Sequence, residues 1–488
     1  MRALLIYPSI PDTFWSFKHI LKFIRKRAAH VPLGILTVAS MMPKDWEIKL
    51  VDMNVEKLCD ESIEWADIVF ISAMVVQKES VREVMDRCKQ FGKKIVAGGP
   101  LFTSVPDDYA EIDHLVLNEA EITFPKFLND LANGSPAHIY QSEEKPDITQ
   151  TPLPRWNLIN MNYYASMSIQ YSRGCPYDCE FCDIVKLNGR RPRVKSPQQM
   201  IKEFDVLYGM GWRGRCFIVD DNFIGNKVKV KQLLRELIPW QRARKYPFSL
   251  FTEASVNLAD DKELMNLMTS AGFDSVFLGL ETPAEECLLE CGKHQNTAKD
   301  LVEAVKTIQR NGMEVMGGFI IGFDNDPPNI FERQINFIQS SGVVKAMIGL
   351  LNAIPGTRLH QRLKNEGRLL DSCTGDNCDG SLNFIPKMDA ETIRAGYQAV
   401  LNSIYSPREY YQRVLEFLKE YKPIRKKRID KLEIRAFFSS ILYLGILEKG
   451  KIYYWKLLIK ALMFHRASFG EAVSSALFGY HFRKLLSK

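Results

Sequence analysis

The sequence lacks any uninterrupted apolar run of the roughly 18–20 residues that a helix needs to span a bilayer. In its apolar C-terminal part, the longest run without a charge is Ala436 to Leu447. It also lacks a signal peptide, because the apolar start MRALLIYP is short and has no small-residue cleavage site. No internal repeat of fixed short period is present. These absences predict a cytoplasmic protein without a spanning helix.

A disulfide framework is not expected either. Three of the ten cysteines, Cys175, Cys179 and Cys182, lie within eight residues, and the others are scattered at 59, 88, 216, 287, 291, 373 and 378. Clustered thiols in a chain without a secretory signal indicate a metal site in a reducing compartment.

The charge is unevenly distributed. With 488 residues, 46% hydrophobic and 25% charged, the composition is that of a globular protein of two or three domains. The net charge is +7, yet the part from Tyr421 onward holds 15 basic and 4 acidic residues. The rest of the chain is therefore mildly acidic, and the basic tail is typical of proteins that contact phosphate-rich partners.

The first 130 residues alternate short apolar runs with amphipathic stretches. We predict strands over Ala3–Tyr7, Ile48–Val51, Asp67–Ser72, Lys94–Ala97 and His114–Leu117, and helices over Pro32–Met42, Ser80–Phe91 and Phe124–Ala132. This alternation predicts a doubly wound, Rossmann-like parallel sheet, whose ligands bind beyond the carboxyl ends of the strands.

A proline-rich stretch with little periodicity follows, and then a second alternating series. Its predicted strands are Ser168–Tyr171, Cys216–Asp220, Ser249–Ala254, Ser275–Gly279, Glu314–Ile321 and Ala346–Asn352. Six strand–helix units predict a partial (β/α)6 barrel or an open parallel sheet. The α/β chain thus divides into a Rossmann-like domain (1–135), a linker (136–165), a partial barrel (166–360) and a helical extension (361–488).

The segment YSRGCPYDCEFCDI places its three cysteines at i, i+4 and i+7 on a loop after a strand. Three soft thiolates can bind three corners of a [4Fe–4S] cube and leave one iron open. A structural zinc site would need a fourth ligand, for which Asp183 is the adjacent candidate. Unrelated cysteines are the remaining alternative.

The C-x3-C-x2-C pattern, with Phe181 before its last cysteine, resembles the radical S-adenosylmethionine (SAM) superfamily. The resemblance implies a partial barrel in which the cluster reduces SAM to a 5′-deoxyadenosyl radical. It implies SAM contacts from Phe181, from Asp220 and Asp221 after the second strand, and from Glu253, Glu281 and Gly318 on the next three. Asp220 and Asp221 stand where the family commonly has Gly-Gly-Glu, and helix capping is the alternative role for all four acids.

The front domain resembles the cobalamin-binding domain of B12-dependent members of that superfamily. The matching segments are SAMVVQ, AGGPLFTS and NEAE. The resemblance implies cobalamin contacts from eight residues: Ser72, Met74, Val75, Gly98, Gly99, Pro100, Thr103 and Glu119. The D-x-H-x-x-G motif of cobalt-ligating proteins is missing, so no histidine ligand is expected. A degenerate domain that only helps to bind substrate is the alternative.

The overall pattern resembles the group that includes hopanoid and bacteriochlorophyll methylases. It implies cobalamin-dependent methylation of an unactivated carbon in a hydrophobic lipid or tetrapyrrole-like metabolite, with an electron donor such as flavodoxin or ferredoxin. Two alternatives are a radical SAM oxidoreductase, cyclase or C–C coupling enzyme, and a non-catalytic membrane-associated protein.

The tail over 429–488 mixes apolar faces, aromatic residues, Lys and Arg. Basic amphipathic helices of this kind can lie peripherally at the inner face of a membrane. The alternative is a helical cap docked on the barrel. Nucleic acid is not an expected partner, because the basic residues alternate with large apolar ones and form no RNA-binding motif.

Overall fold

A computed structural model of the chain describes residues 1–370, 374–376, 378–425 and 431–486, excluding the side chains of residues 431 and 432. Cys373 and residues 429, 430, 487 and 488 of the predicted tail lie outside the described residues.

The front of the chain forms a six-stranded parallel sheet in the order β2-β1-β3-β4-β5-β6. Its strands are β1 (Arg2–Tyr7), β2 (Glu47–Asp52), β3 (Ile68–Ser72), β4 (Lys94–Gly98), β5 (His114–Val116) and β6 (Ile139–Tyr140). The first five match the predicted strands. The sixth lies in the predicted linker, where two residues are too few to show an alternating pattern.

The helices of this part of the chain are α1 (Lys18–Leu21), α2 (Leu33–Met41), α3 (Asp60–Trp65), α4 (Lys78–Gln90), α5 (Pro100–Ser104) and α6 (Ala120–Ala132), with 3-10 turns at Phe14–Ser16, Lys22–Ile24, Val75–Gln77 and Pro106–Tyr109. Helices α2 to α6 pack on the sheet, whereas α1 packs on the C-terminal part of the chain. Helix α4 shows why they form, because its buried residues recur at i, i+3, i+4 and i+7: Val81, Val84, Met85 and Cys88.

The second sheet is an open parallel barrel in the order β14-β13-β12-β11-β10-β7. Its strands are β7 (Ser166–Ile169), β10 (Arg215–Ile218), β11 (Ser249–Ala254), β12 (Phe273–Glu281), β13 (Glu314–Ile321) and β14 (Lys345–Leu350). All six are predicted strands; β11 and β13 have the predicted ends, and the ends of the other four are shifted. Between the first two, β8 (Ser172–Arg173) pairs antiparallel with β9 (Arg193–Val194) as a ribbon.

The barrel helices are α7 (Ile184–Asn188), α8 (Pro197–Gly209), α9 (Lys227–Ala243), α10 (Lys262–Ala271), α11 (Glu285–Glu290), α12 (Leu301–Arg310), α13 (Ile330–Ser341) and α14 (Arg358–Asn365). Six 3-10 turns accompany them, at Ile148–Gln150, Trp156–Leu158, Met161–Tyr163, Phe223–Asn226, Val256–Asp260 and His294–Asn296. Alternate strand residues, such as Cys216 and Ile218, are fully buried under these helices. Their neighbours, such as Phe217, therefore face the lumen.

Residues 8–31, which we call the closing segment, cross the open side of the barrel. At one edge, Ala28 and Ala29 accept hydrogen bonds from the backbone of Ala165 and Ser166. Toward the other edge, the Trp15 indole donates to Met347 Sδ, 3.0 Å away. A loop of the front domain thus closes the gap between β7 and β14.

The C-terminal region is helical, as predicted. It comprises α15 (Ala390–Ile404), α16 (Pro407–Glu420), α17 (Lys431–Ser440), a π-helical turn (Ile441–Leu447), α18 (Lys451–Phe464), a 3-10 turn (Arg466–Ser468) and α19 (Phe469–Leu486). Helix α15 and the residue that follows it protect edge strand β14, because the Tyr397 and Tyr405 hydroxyls donate to the carbonyls of Ile348 and Ala346. Among the described residues, no helix is long and apolar enough to cross a membrane.

Candidate active site

The three clustered cysteines lie on a loop that the β8–β9 ribbon closes at its base. Gly174 begins the loop at φ +95°, and a Cβ there would lie 2.7 Å from the carbonyl oxygen of Gly189. Glycine is therefore needed to turn the chain into the loop. The Cys175 N–H donates to that same carbonyl, so both ends of the loop are joined.

Burial raises the pKa of the Cys175 and Cys182 thiols. Within the described ranges, no three or more His, Cys, Asp or Glu side chains gather closely enough to hold one metal ion.

Two amide side chains that the sequence did not single out point at cysteine sulfurs. Asn222 Nδ2 lies 3.7 Å from Cys175 Sγ, and Gln295 Nε2 lies 3.8 Å from Cys179 Sγ. Their own oxygens, Asn222 Oδ1 and Gln295 Oε1, are buried without a hydrogen-bond partner among the described residues. Amide donors aimed at sulfur fit thiolates that ligate an iron–sulfur cluster, where such hydrogen bonds tune the potential.

The two predicted aspartates hold the backbone that leads into the cysteine loop. Asp220 accepts from the Tyr171 N–H and the Ser172 hydroxyl, 2.7 Å away in each case, and burial raises its pKa to about 7. Asp221 accepts from the Gly174 N–H and the Asn188 amide, and burial also raises its pKa. The structure thus gives Asp220 a positioning role, with both oxygens engaged, and its predicted contact with SAM stays a prediction.

Glu281 ends β12 at φ +60° and forms a buried ion pair with Lys293. The Lys293 ammonium lies 5.9 Å from the centre of the Phe181 ring. Burial works to lower the pKa of Lys293, but the charges of Glu281 and Cys179 outweigh it and hold that pKa above its usual value. Phe181 and Glu281 therefore meet beside the cysteine loop, and Lys293, which the sequence did not single out, joins them.

Glu253 and Gly318 lie on the lumen face of the barrel. Burial raises the pKa of Glu253 to about 8, and the charges of Asp221 and Asp220 add to that rise. A Cβ on Gly318 would lie 2.9 Å from Phe277 Cζ, so glycine is needed beside that ring.

An apolar group of side chains, which we call the aromatic floor, lines the lumen on the amino-terminal side of these residues. Its members are Trp15, Phe217, Phe251, Phe277 and Met347. The Phe217 and Phe251 rings stack with centroids 4.6 Å apart, and Trp15 packs edge-on to Phe277 at 5.2 Å. Trp15, from the closing segment, could not be assigned to the barrel from sequence.

Most of the predicted cobalamin residues gather at the carboxyl edge of the front sheet. Ser72 and Gly98 end β3 and β4, and Gly99, at φ +96°, begins the turn into Pro100 and helix α5. A Cβ on Gly99 would lie 3.1 Å from Ser72 Oγ. The Thr103 hydroxyl accepts from the Asn118 N–H.

Met74 and Val75 form the turn beyond β3. Met74 is exposed. Gly375, from the C-terminal region, packs against the backbone of Val75 and Val76. The C-terminal region therefore covers part of the turn that the sequence assigned to the corrin.

Glu119 has a structural role that the sequence did not reveal. Glu119 and Glu121 form a buried ion-pair cluster with Arg173 and Arg193 of the ribbon, with nitrogen–oxygen distances of 2.7 Å. Both carboxylate oxygens of Glu119 are engaged by arginines, so Glu119 links the front domain to the cysteine loop. The predicted cobalamin contact of Glu119 stays a prediction.

Comparison with known proteins agrees with this architecture. Family models match residues 26–128 (B12 binding domain), 169–338 (radical SAM superfamily) and 357–488 (a domain of unknown function, DUF4070). An uncharacterised methyltransferase of Synechocystis is 43% identical, over 99% of this chain and 91% of that protein. The hopanoid C-2 methylase of Rhodopseudomonas palustris is 33% identical, over 95% and 89%.

The chain belongs to the B12-binding radical SAM methyltransferases.

A bacteriochlorophyllide d C-8(2)-methyltransferase of Chlorobaculum tepidum is a more distant relative of this methyltransferase, 24% identical over 70% of this chain and 78% of that protein. Among solved structures, the radical SAM methyltransferase TsrM of Kitasatospora setae matches with a TM-score of 0.65 and 15% identity, over 100% of both chains. That likeness concerns the fold alone.

Membership confirms the predicted enzyme class, and the cofactors of this methyltransferase are a [4Fe–4S] cluster, SAM and cobalamin.

Proposed function

We propose that this methyltransferase adds a methyl group to an unactivated carbon of a hydrophobic metabolite, a lipid or a tetrapyrrole-like molecule. The observation that carries the proposal is the aromatic floor, which gives the lumen a group of apolar and aromatic contacts. A flat or polycyclic apolar skeleton would bury its surface there by the hydrophobic effect. The hopanoid methylase among the relatives supports a lipid.

Cys175, Cys179 and Cys182 would hold the cluster. When bound, the cluster and SAM supply a 5′-deoxyadenosyl radical, and cobalamin supplies the methyl group. Asn222 and Gln295 donate toward two of the ligating sulfurs. Asp220 and Asp221 fix the backbone that enters the loop and would thereby hold the ligating cysteines in place.

Phe181, Glu253, Glu281, Gly318 and the remaining oxygen of Asp221 would contact SAM. The Glu281–Lys293 pair offers a carboxylate and an ammonium beside the loop. These two charges complement the amino and carboxylate groups of the methionine part of SAM. Glu253 would become a carboxylate when a cationic ligand enters, since an opposite charge lowers a carboxyl pKa.

Ser72, Met74, Val75, Gly98, Gly99, Pro100 and Thr103 would contact cobalamin at the front-sheet edge. The four histidines up to residue 140 lie elsewhere. His30 bonds to the Ser166 hydroxyl in the barrel, His114 to the Ala137 carbonyl and His138 to the Asp113 carbonyl, and His19 lies beside Asp12. We therefore propose that no histidine of this domain ligates cobalt. Because β6 pairs with β5, we propose a front domain that extends to residue 140, with the other domain limits at 165 and 360 as predicted.

Anaerobic reconstitution tests the proposal. With iron, sulfide, hydroxocobalamin, SAM and either dithionite or a flavodoxin or ferredoxin donor, a hopanoid should gain the mass of one CH2 per turnover. A product without that gain would indicate oxidation, cyclisation or C–C coupling instead. Absence of 5′-deoxyadenosine with every donor would favour the non-catalytic alternative.

A further inference from the structure

Helices α17 and α18 and the turn between them leave a large apolar surface uncovered. Among the described residues, twelve of the twenty exposed large hydrophobic side chains lie here. They form what we call the apolar face: Ile434, Phe438, Leu442, Tyr443, Ile446, Leu447, Ile452, Trp455, Ile459, Leu462, Met463 and Phe464. Exposed fractions reach 64% for Phe438, 66% for Leu447 and 70% for Phe464. Contiguous exposed apolar patches on this scale mark interaction sites.

Helix α18 is apolar on two opposite sides. One side packs on α16 and α19 through Tyr454, Leu457, Leu458 and Ala461, which are buried. The opposite side presents Ile452, Trp455, Ile459, Leu462 and Met463. An apolar side of a helix is normally buried in a core or in lipid. Among the described residues, nothing covers the second apolar side of α18.

The two helices form one unit with a shared outer side. The Ser440 and Tyr454 hydroxyls lie 2.7 Å apart, and the Trp455 indole donates to the Gly445 carbonyl at 3.0 Å. Both helices pack on α19, and therefore their exposed sides turn away from the rest of the molecule together.

The charges around the apolar face are almost all basic. Between residues 433 and 466, six exposed residues are basic and one, Glu433, is acidic. The basic ones are Arg435, Lys449, Lys451, Lys456, Lys460 and Arg466. A protein partner is disfavoured because protein interfaces are depleted in lysine. Apolar surface with a lysine rim suits acyl chains beside anionic headgroups.

We propose that the apolar face docks on the surface of an anionic lipid bilayer. Helix α18 has 14 residues, about 21 Å at 1.5 Å per residue, which is shorter than the roughly 30 Å hydrocarbon core. The two helices therefore lie in the interface, with their basic residues among the headgroups. Docking also brings the closing segment near the membrane, because Phe23 packs on Tyr443 at 5.2 Å. The inference goes beyond the proposed substrate and does not depend on it.

Vesicle flotation of the full chain tests this proposal. The chain should float with vesicles of equal parts phosphatidylcholine and phosphatidylglycerol, and less with phosphatidylcholine alone. Replacing three exposed side chains (Phe438→Ser, Leu447→Ser, Phe464→Ser) should lower the partition coefficient at least about tenfold. The matched control is Val228→Ser, Leu289→Ser, Ile385→Ser, since these residues are 69%, 53% and 51% exposed elsewhere. This control should bind like the unaltered chain.

A second set of measurements follows tryptophan fluorescence and vesicle binding, and uses conservative substitutions. Brominated lipids should quench tryptophan fluorescence in the unaltered chain, and Trp455→Phe should remove most of that quenching. Lys456→Gln with Lys460→Gln should weaken binding to anionic vesicles several-fold and leave binding to phosphatidylcholine nearly unchanged. Unchanged flotation of the triple serine variant would overturn the proposal. A second result would also overturn it: light scattering shows that the unaltered chain is a dimer, the triple serine variant is a monomer, and neither protein binds vesicles.

Discussion

Individual amides and carboxyls near the cysteine loop set the chemistry that the loop can support. Asn222 follows β10, and its side-chain amide reaches both Cys175 Sγ on the cysteine loop and the Ser255 hydroxyl after β11. An N–H donor beside a thiolate stabilises the more negative, reduced state of a cluster. Cysteines alone would hold the iron, but neighbours such as Asn222 adjust how readily it is reduced.

Asn222→Leu keeps the size of the side chain and removes its donor. We expect iron and sulfide contents near those of the unaltered protein, a midpoint potential more negative by on the order of tens of millivolts, and several-fold slower formation of 5′-deoxyadenosine. Redox titration followed by electron paramagnetic resonance measures the potential. An unchanged potential in a fully loaded variant would show that the amide does not act on the cluster.

Glu253 provides a prediction about pH. Burial raises its folded-state pKa to about 8, with the Asp221 and Asp220 charges adding to that rise, whereas an unfolded glutamate titrates near 4.3. The folded state therefore keeps a proton that the unfolded state loses, and this group destabilises the fold increasingly as pH rises from about 4.3 to 8. Glu253→Gln should melt like the unaltered cofactor-free protein near pH 4 and a few degrees higher at pH 8. A difference that is constant across pH would contradict this.

At the scale of secondary structure, the C-terminal helical region protects β14, the strand at the open edge of the barrel. Among the described residues, no strand pairs with the outer side of β14. The Tyr397 and Tyr405 hydroxyls donate hydrogen bonds to carbonyls of β14 instead. The C-terminal helical region is thus part of how the barrel is closed.

Tyr405→Phe should lower the free energy of unfolding by about 1–2 kcal/mol, because it leaves the buried Ala346 carbonyl unpaired. Tyr443→Phe, at an exposed tyrosine, is the matched control and should change it by less than about 0.5 kcal/mol. Denaturant titration compares the two. Equal effects would mean that the edge hydrogen bond contributes nothing.

At the scale of the whole molecule, the ion-pair cluster fixes the front domain to the cysteine loop. Burial works to raise the pKa of Glu121, but Arg173 outweighs it and holds that pKa near 2. Because Arg173 is two residues from Cys175, this link sets the distance between the two cofactor domains.

Arg173→Met leaves two buried carboxylates with too few partners and should cost about 3–5 kcal/mol of stability at neutral pH. The cost should shrink as pH falls from about 4.5 toward 2, since Glu121 then loses its stabilising charge. The ratio of 5′-deoxyadenosine to methylated product should rise. Arg82→Met removes an exposed pair with Glu79 and should cost less than about 1 kcal/mol. If the Arg173→Met and Arg82→Met variants melted at the same temperature, the ion-pair cluster would not fix the front domain to the cysteine loop.

The sequence by itself determined the elements that depend on local pattern. Strand alternation predicted eleven of the fourteen strands found in the described part of the chain, and the cysteine spacing predicted the cluster loop. Both signals are short-range, because side-chain period and ligand spacing are properties of neighbouring residues. The family resemblance supplied the enzyme class and the cofactors.

The tertiary structure alone decided the contacts between distant segments. Glu119 lies 54 residues from Arg173 in the chain, and Trp15 lies 332 residues from Met347. No local pattern encodes such pairs, so Glu119 was assigned to a ligand and Trp15 to nothing. In the tail, one side of α18 packs on the fold and the other stays exposed, and contact with a membrane stays a proposal. Only tertiary packing decides which of the two apolar sides of α18 is covered by the rest of the protein.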